Sequence, residues 1–197
     1  MPYSAEHKQR SREKILESAI TLFTRQGFEK TSIDQVMHEA ELTRGAFYTH
    51  FTSKSDLYQQ AILNGAGNSI LLKQKPDHCS EQDWVRTLIK WYLSDDHVKQ
   101  KSGACPLAFL VNDVAINEPE VRHTYTRVFQ EMNKLIKRSL QRFSNSTEQE
   151  IFAATALMIG AVAIGRSLDC QTTLNKLLRS SEAVAQQLLQ TDGAKSG

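Results

Sequence analysis

The chain has 197 residues, of which 40% are hydrophobic, and its formal net charge at pH 7 is only +2. This length allows one or two domains with a sizeable core. Neither an apolar run of about 18 residues nor a basic start followed by an apolar run is present, so we expect a cytoplasmic protein. Cys79, Cys105 and Cys170 form an odd, widely spaced set, which fits neither a disulfide framework nor a zinc site.

Helical periodicity runs through the sequence, and strictly alternating β-branched runs are absent, so we predict an all-α fold. The first helix is stopped by Gly27. Its apolar face carries Ile15, Ala19, Leu22 and Phe23. The helices of the N-terminal region are predicted at about residues 8–26, 33–40 and 44–51.

Two short helices joined by a tight turn are predicted between Ser32 and Phe51. Ser32 and Gln35 have the spacing of a capping box, which begins the first of these helices. Segment 41–42 forms the connection, and Thr43 is placed to cap the second helix. The apolar face of the first helix consists of Ile33, Val36, Met37 and Ala40.

The second short helix has an inward and an outward face. Phe47 and Phe51 can point inward together, whereas Arg44, Tyr48 and Thr49 project outward. Helices this short need a supporting helix, and the arrangement is typical of a helix-turn-helix, whose second helix enters the DNA major groove. Arg can bond a guanine edge, Thr offers a hydroxyl and a methyl group, and Tyr can reach a phosphate. The alternative is an ordinary helical hairpin with a solvated polar face.

Residues that flank this helix pair could contact the DNA backbone. Thr31 lies just before the first helix of the pair, where its hydroxyl could hold a phosphate or, alternatively, cap the chain locally. Basic residues could gather on one surface despite the small net charge. These are Lys8, Arg10, Arg12, Lys14, Arg44 and Lys54.

Residues 15–58 resemble the N-terminal domain of the TetR/AcrR family of bacterial transcriptional regulators. The stretch reads ILESAITLFTRQGFEKTSIDQVMHEAELTRGAFYTHFTSKSDLY. The matching positions are Phe23, Gly27, Phe28, Thr31, Ser32, Ile33, Ala40, Gly45, Tyr48, His50, Phe51, Lys54 and Leu57. The rest of the chain matches this family only in length, helicity and layout.

The resemblance implies a DNA-binding domain over residues 1–54 and a ligand-binding and dimerisation domain over residues 55–197. It implies a homodimeric repressor that binds a palindromic double-stranded DNA operator and is released by a small-molecule effector, which we expect to be apolar or amphipathic. We expect neither a cofactor nor a metal. The candidate DNA-binding residues are Thr31, Thr43, Arg44, Gly45, Tyr48, Thr49, His50 and Lys54.

The C-terminal region is predicted to be helical with few breaks. A helix from Lys54 to about Lys75 contains Gly65 and Gly67, which indicate either close helix packing or a soft point. Further helices are predicted at about residues 81–94, 106–114, 119–143, 151–164 and 172–189, with a loop over residues 95–103.

The segment Ile151–Ile164 is apolar on every side, so it must be covered on every side. We expect one side to face the core and another to face a partner chain, together with the last helix, in a four-helix bundle. The candidate dimerisation residues are Leu157, Ala161, Ile164, Leu174, Leu178 and Leu188.

Aromatic and Met residues of the C-terminal region are either core residues or the lining of one apolar cavity with a polar handle. The candidate pocket residues are Trp84, Trp91, Phe109, Tyr125, Phe129 and Met158. Cys105 begins a predicted helix, where it is either a redox sensor or a small buried hydrophobic residue.

No set of residues in the sequence has the spacing of a catalytic site, so we expect no enzymatic activity. Two other functions stay open within the regulator class, namely an activator and a cysteine redox-switched regulator. A ligand-binding or scaffold dimer that does not bind DNA is the alternative from another class.

Overall fold

A computed structural model describes residues 5–68, 76, 78–101 and 105–191. Within these ranges the regular structure is helical and contains no strand, which confirms the predicted all-α class. The helices are α1 (Ala5–Lys30), α2 (Ile33–Glu39), α3 (Arg44–Phe47), α4 (Lys54–Gly67), α5 (Glu81–Tyr92), α6 (Asp95–Val98), α7 (Pro106–Phe109), α8 (Val111–Ala115), α9 (Pro119–Leu140), α10 (Glu148–Gly165) and α11 (Gln171–Leu188).

The chain packs as two compact units. Unit 1 consists of Met1–Asn68 and Ala104–Val128, and unit 2 consists of Ser69–Gly103 and Phe129–Gly197. These units describe packing alone. The predicted functional division between residues 54 and 55 therefore stays a prediction.

Unit 1 is built on the packing of α4 against α1. Leu57, Ala61 and Ile62 of α4 are completely buried. Gly65 permits close contact between the two helices, because a Cβ atom there would lie 2.9 Å from Cγ1 of Ile20. The close-packing interpretation is confirmed for Gly65, whereas the position of a Cβ atom on Gly67 is open space.

The backbone of α1 is interrupted at Gly27, which has φ 85° and ψ 170°. A positive φ of this size favours glycine, because a side chain would strain the backbone there. The prediction of a break at Gly27 is confirmed, although helical structure continues to Lys30 and begins at Ala5.

Unit 2 has α10 as its central helix, packed on α11 and α5. Thr147 and Glu150 form a capping box that begins α10, and Ile151, Ala154 and Val162 are buried along its inner side. The hydroxyl of Thr155 donates to Oδ1 of Asn133 at 3.0 Å inside the core. By length and composition alone α10 could cross a membrane, and 44% of it is buried within the chain.

Two secondary-structure predictions for the C-terminal region were wrong in detail, and a third lies partly outside the described residues. Residues predicted as a loop include α6, because the hydroxyl of Ser94 accepts the N–H of His97 at 3.2 Å and caps a short helix. The helix predicted from Pro106 is split into α7 and α8 at Leu110. Helix α4 ends at Gly67, and residues 69–75 of its predicted extension lie outside the described residues.

Candidate nucleic-acid interface

Local hydrogen bonds define the two ends of α2. The side chains and backbone N–H groups of Ser32 and Gln35 bond reciprocally, at 3.1 Å and 2.8 Å, which confirms the predicted capping box. At the other end, the N–H of Leu42 donates to the carbonyl of Met37 at 2.9 Å. Glu41 has φ 57°, the left-handed conformation that this type of C-terminal motif requires. The turn after α2 is therefore determined by neighbouring residues.

Helix α3 contains only four residues, Arg44–Phe47, so the prediction of a helix over residues 44–51 was too long. Thr43 occupies the N-cap position but makes no side-chain cap hydrogen bond. Gly45 lowers the helix propensity further. The chain continues as tight turns, in which the N–H of His50 donates to the carbonyl of Phe47 at 2.9 Å.

The inward and outward faces of this segment are as predicted. Phe47 is completely buried and Phe51 is 2% exposed, and their ring centroids lie 5.6 Å apart. The opposite side, which we call the α3 surface, is exposed to solvent and consists of Thr43, Arg44, Gly45, Tyr48 and Thr49. The buried phenyl rings thus hold a polar surface in a fixed orientation.

Arg44 forms an ion pair on the α3 surface. Its Nη1 atom lies 2.8 Å from Oδ2 of Asp34, and both side chains are more than half exposed. The pKa of Arg44 is raised, first by a hydrogen bond with Tyr48 and then by the charge of Asp34. A guanidinium has five N–H groups, so this pairing leaves donors for a base edge. The sequence reasoning missed Asp34, whose position opposite the buried face of α2 was the available signal.

Further basic side chains lie close to this surface, and one of them, His50, is mostly uncharged. Partial burial lowers the pKa of His50, and the charges of Lys8 and Arg12 lower it further, so His50 is mostly neutral at pH 7. The guanidinium carbon of Arg12 lies 5.7 Å from the centroid of the Phe51 ring. The ammonium of Lys54 lies 4.2 Å from the centroid of the Phe28 ring.

Thr31 is placed differently from the other candidates. It is 1% exposed, and its hydroxyl donates to the carbonyl of Gly27 at 2.8 Å. This hydroxyl is therefore used within the turn after α1, which favours local capping over phosphate binding. The hydroxyl of Thr49 is also bonded locally, to the carbonyl of Ala46 at 2.7 Å, but Thr49 remains exposed. Gly45 has nothing within 4 Å of a potential Cβ atom.

The segment that contains this surface matches a known family model. The model of bacterial regulatory proteins of the tetR family matches residues 15–61, which include most of α1, all of α2 and α3, and the start of α4. Residues 15–61 therefore carry the pattern of the TetR/AcrR family, which supports the resemblance seen in the sequence. The names of the chain's relatives are those of transcriptional regulators rather than enzymes, in agreement with the prediction that it is not an enzyme.

Two regulators illustrate the sequence similarity. An uncharacterized regulator of Bacillus subtilis, YfiR, is 33% identical over 90 residues, which are 46% of this chain and 42% of YfiR. IcaR, a negative transcriptional regulator of the biofilm operon icaADBC in Staphylococcus aureus, is 29% identical over 72 residues, 35% of this chain and 39% of IcaR. The chain thus matches less than half the length of either relative.

A solved structure extends the similarity in fold beyond residues 15–61. The crystal structure of E. coli NemR in its reduced form has a TM-score of 0.68 and 19% sequence identity, and the match covers 90% of this chain and 97% of NemR. At this identity the match concerns the fold alone.

The six candidate pocket residues are divided between the two units, with two in unit 1 and four in unit 2. In unit 1, Phe109 is buried, and the hydroxyl of Tyr125 donates to the carbonyl of Leu107 at 2.7 Å. In unit 2, Met158 is a core residue, the Trp91 ring stacks on His97 at 5.0 Å, and Trp84 is half-buried. Phe129 packs edge-on against the exposed Phe152 at 5.6 Å. Their role in lining a ligand pocket stays a prediction.

Cys105, the candidate redox residue, is half-buried at the N-cap of α7. The pKa of Tyr125 is raised by burial and, secondarily, by the neighbouring Cys105 thiol group. The redox role of Cys105 stays a prediction.

The candidate dimerisation residues fall into two groups. Ala161, Leu174 and Leu178 are buried within the chain, at 3%, 4% and 5% exposure. They cannot themselves line a surface for a partner, and their assignment to such a surface is corrected. Ile164 is 54% exposed, and Leu157 and Leu188 are half-buried, so these three can reach one.

Proposed function

We propose that this protein is a DNA-binding transcriptional regulator that represses its target genes by binding a palindromic operator as a homodimer. The observation that carries this proposal is the exposed α3 surface, held from behind by Phe47 and Phe51 within the segment that matches the tetR family model. An Arg, a Tyr and two Thr on this exposed side are side chains that protein–DNA interfaces use for phosphate and base contacts.

The polar groups of the α3 surface suit different parts of DNA. Arg44 can bond a guanine edge with two N–H groups, and Thr43 and Thr49 can contact base edges through a hydroxyl or a methyl group. Tyr48, His50 and Lys54 suit the phosphate backbone. Gly45 supports close approach to the backbone, because space is open at its Cα atom. Thr31 is left out of this set because its side chain is buried.

A homodimer would place two copies of this surface on one DNA duplex. The exposed apolar side chains of unit 2 support such an assembly, since Phe152 and Ile164 of α10 and Val184 of α11 are 41%, 54% and 45% exposed. A two-fold dimer reads two half-sites about one helical turn, or a multiple of it, apart.

The proposed regulator represses its target genes while bound to the operator and leaves the DNA when an effector binds. The relative IcaR is named a negative regulator, which supports repression. An apolar or amphipathic effector would release the DNA only if it binds the non-DNA conformation more tightly than the DNA-bound one. The proposed site of action is the cytoplasm, where operator and effector would meet.

In the first step of the test, the full-length chain is mixed with genomic DNA fragments, and the fragments that it binds are isolated and sequenced. Affinity is then measured against salt for the wild type, Arg44→Ala and Lys54→Ala, on the selected operator and on random DNA. Loss of Arg44 should cost about 1–3 kcal/mol on the operator and relax the preference for one base in each half-site. Loss of Lys54 should weaken binding to all DNA alike and lessen the salt dependence.

Two results would contradict the proposal in different ways. If Arg44→Ala weakens binding to operator and random DNA equally, Arg44 holds phosphate and does not read a base. If the wild type selects no fragment, or neither variant differs from it, the α3 surface does not bind DNA and the scaffold-dimer function takes its place.

A cysteine-based switch is the second candidate for release of DNA. It is favoured by the position of Cys105 at a helix start beside the half-buried Tyr125. Peroxide should then abolish operator binding by the wild type and leave Cys105→Ser bound. If peroxide affects both proteins equally, Cys105 is a structural residue.

A further inference from the structure

Asp113 of α8 lies far from the helix-turn-helix in sequence but bonds directly, within unit 1, to the two segments that flank it. Its Oδ1 atom accepts the backbone N–H of Phe28 at 3.0 Å, and its Oδ2 atom accepts a short hydrogen bond from the hydroxyl of Tyr58. Phe28 begins the short segment after the break in α1, and Tyr58 lies in α4. One carboxylate therefore joins three separate segments of the unit.

The backbone at Gly27 is shaped around this carboxylate. A Cβ atom on Gly27 would lie 2.9 Å from Oδ1 of Asp113, and the φ of 85° independently favours glycine. Tyr58 is completely buried, and burial together with the bond to Asp113 raises its pKa, so its hydroxyl remains a donor. Without the carboxylate, a buried hydroxyl and a backbone N–H would both lose their acceptor.

Phe28 connects Asp113 to a cation of the candidate interface. The Phe28 ring lies 5.0 Å from the Tyr58 ring and 6.0 Å from the Phe23 ring, measured between centroids. The ammonium of Lys54 also lies near this ring, 4.2 Å from the Phe28 centroid. A shift of the Phe28 backbone would therefore move the aromatic surface on which Lys54 rests.

We propose that Asp113 is a positioning residue for DNA binding, which acts through Phe28 to hold Lys54 where it can meet a DNA phosphate. The proposal rests on the DNA-binding function proposed above. Asp113 does not touch DNA in this mechanism, and its contribution is the fixed position of the segment between α1 and α2. The contact also means that residues of the 105–128 segment, outside the matched family segment, are needed for full DNA affinity.

The experiment uses the full-length chain with Asp113→Ala, Asp113→Asn and, as a control, Glu120→Ala. Glu120 is an exposed acid of the same unit, so its removal changes the net charge equally without touching Phe28. Asp113→Asn keeps an oxygen to accept from Phe28 and an amide that can bond the Tyr58 oxygen. Affinity is measured against salt on operator DNA, and circular dichroism and thermal unfolding confirm folding.

Asp113→Ala should lower operator affinity about tenfold, as expected for groups left without an acceptor, and reduce the salt slope as Lys54→Ala does. The double variant Asp113→Ala/Lys54→Ala should bind no more weakly than Asp113→Ala, because both changes remove the same contact. Asp113→Asn should restore most of the affinity, and Glu120→Ala should not lose any. Additive losses with an unchanged salt slope would overturn the proposal.

A measurement without DNA separates this proposal from the proposed function. Hydrogen exchange at the Phe28 amide should quicken in Asp113→Ala while amides in the middle of α4 stay protected. If the Asp113→Ala chain does not fold, Tyr58→Phe is used instead: it removes the hydroxyl that holds the carboxylate, leaves the bond to Phe28 less firmly placed, and should give a smaller loss of affinity and a smaller increase in Phe28 exchange. Unchanged Phe28 exchange overturns the positioning role, whereas failure of the wild type to bind any DNA overturns only the regulator function.

Discussion

Helices α2 and α3 are short and two-faced, whereas α10 is long and apolar on nearly every side. In the short pair, buried side chains such as Val36 and Phe47 alternate with polar ones such as Asp34 and Arg44. In α10, the buried Ala161 and the exposed Ile164 differ little in polarity. A polar side chain marks the solvent side of a helix, but an apolar one does not mark the core side, because apolar residues also occupy protein surfaces.

The largest effect is expected from substitutions on the two sides of α10, one buried and one exposed. Ala161→Arg should destabilise unit 2 by roughly 4 kcal/mol or more, since it buries an unpaired charge where the wild-type side chain is 3% exposed. Ile164→Arg should leave the chain folded, because Ile164 is 54% exposed, and should dissociate the proposed dimer. Thermal unfolding and sedimentation velocity, run on both variants, separate the two effects.

Two results would contradict this description of α10. If Ile164→Arg sediments like the wild type, the exposed end of α10 is not part of an interface. If Ala161→Arg folds with wild-type stability, the two sides of α10 are not distinguished as described.

The second prediction uses acid to compare a buried group of unit 2 with a surface group of unit 1. Burial lowers the pKa of His97 below the 6.5 of an exposed histidine, and the bond from its Nδ1–H to the carbonyl of Tyr92, 2.6 Å long, only partly opposes this. The unfolded chain therefore binds this proton at higher pH than the folded chain. Stability should fall as the pH drops below about 6.5, by no more than about 1.4 kcal/mol per pH unit for this residue.

Urea unfolding at pH 7 and at pH 5 measures this dependence. His97→Asn, which retains a donor for the Tyr92 carbonyl, should be less stable at pH 7 but less sensitive to acid. His50→Asn serves as the control, because the pKa of His50 is lowered in the same direction at a partly exposed site. Equal acid sensitivity of the wild type and His97→Asn would rule out His97 as the source.

The third prediction concerns the ion pair of the α3 surface. Asp34→Asn should change stability by less than about 1 kcal/mol, since an exposed pair contributes little. It should strengthen binding to random DNA a few-fold, because a negative charge beside the phosphates is removed. The preference for the operator should decrease, as Arg44 is no longer oriented by Asp34.

Filter binding on operator and random DNA at two salt concentrations checks this prediction. Glu39→Gln, at an exposed position of the same helix, controls for the change in charge alone. If both variants lose operator preference equally, Asp34 acts only through its charge.

The smallest expected effect concerns the turn after α2. Glu41 has φ 57°, a conformation that costs an L-residue about 1–2 kcal/mol, whereas glycine adopts it freely. Glu41→Gly should therefore stabilise the chain by about 0.5–1 kcal/mol after the larger unfolded-state entropy of glycine is subtracted. Glu39→Gly, within α2, should instead destabilise it by about 1 kcal/mol. Chemical denaturation of the two variants shows whether the turn geometry is as described.

The sequence by itself determined the helical class, the start of α2 and the inward orientation of Phe47 and Phe51. These follow from interactions between residues that are near one another in the chain, such as the bond between Ser32 and Gln35. The family resemblance could likewise be predicted, because the family pattern lies in one continuous segment of the N-terminal region, residues 15–61.

Only the tertiary structure decided the burial of Thr31, the sides of α10 and the contact of Asp113 with Phe28. Phe28 and Asp113 are 85 residues apart, and no local pattern reports such a pair. The sequence left Thr31 with two roles, phosphate binding and local capping, and its burial at 1% exposure favours the local bond to the carbonyl of Gly27. A local pattern fixes a helix and its polar face, whereas the choice between equally apolar sides depends on which distant segments pack there.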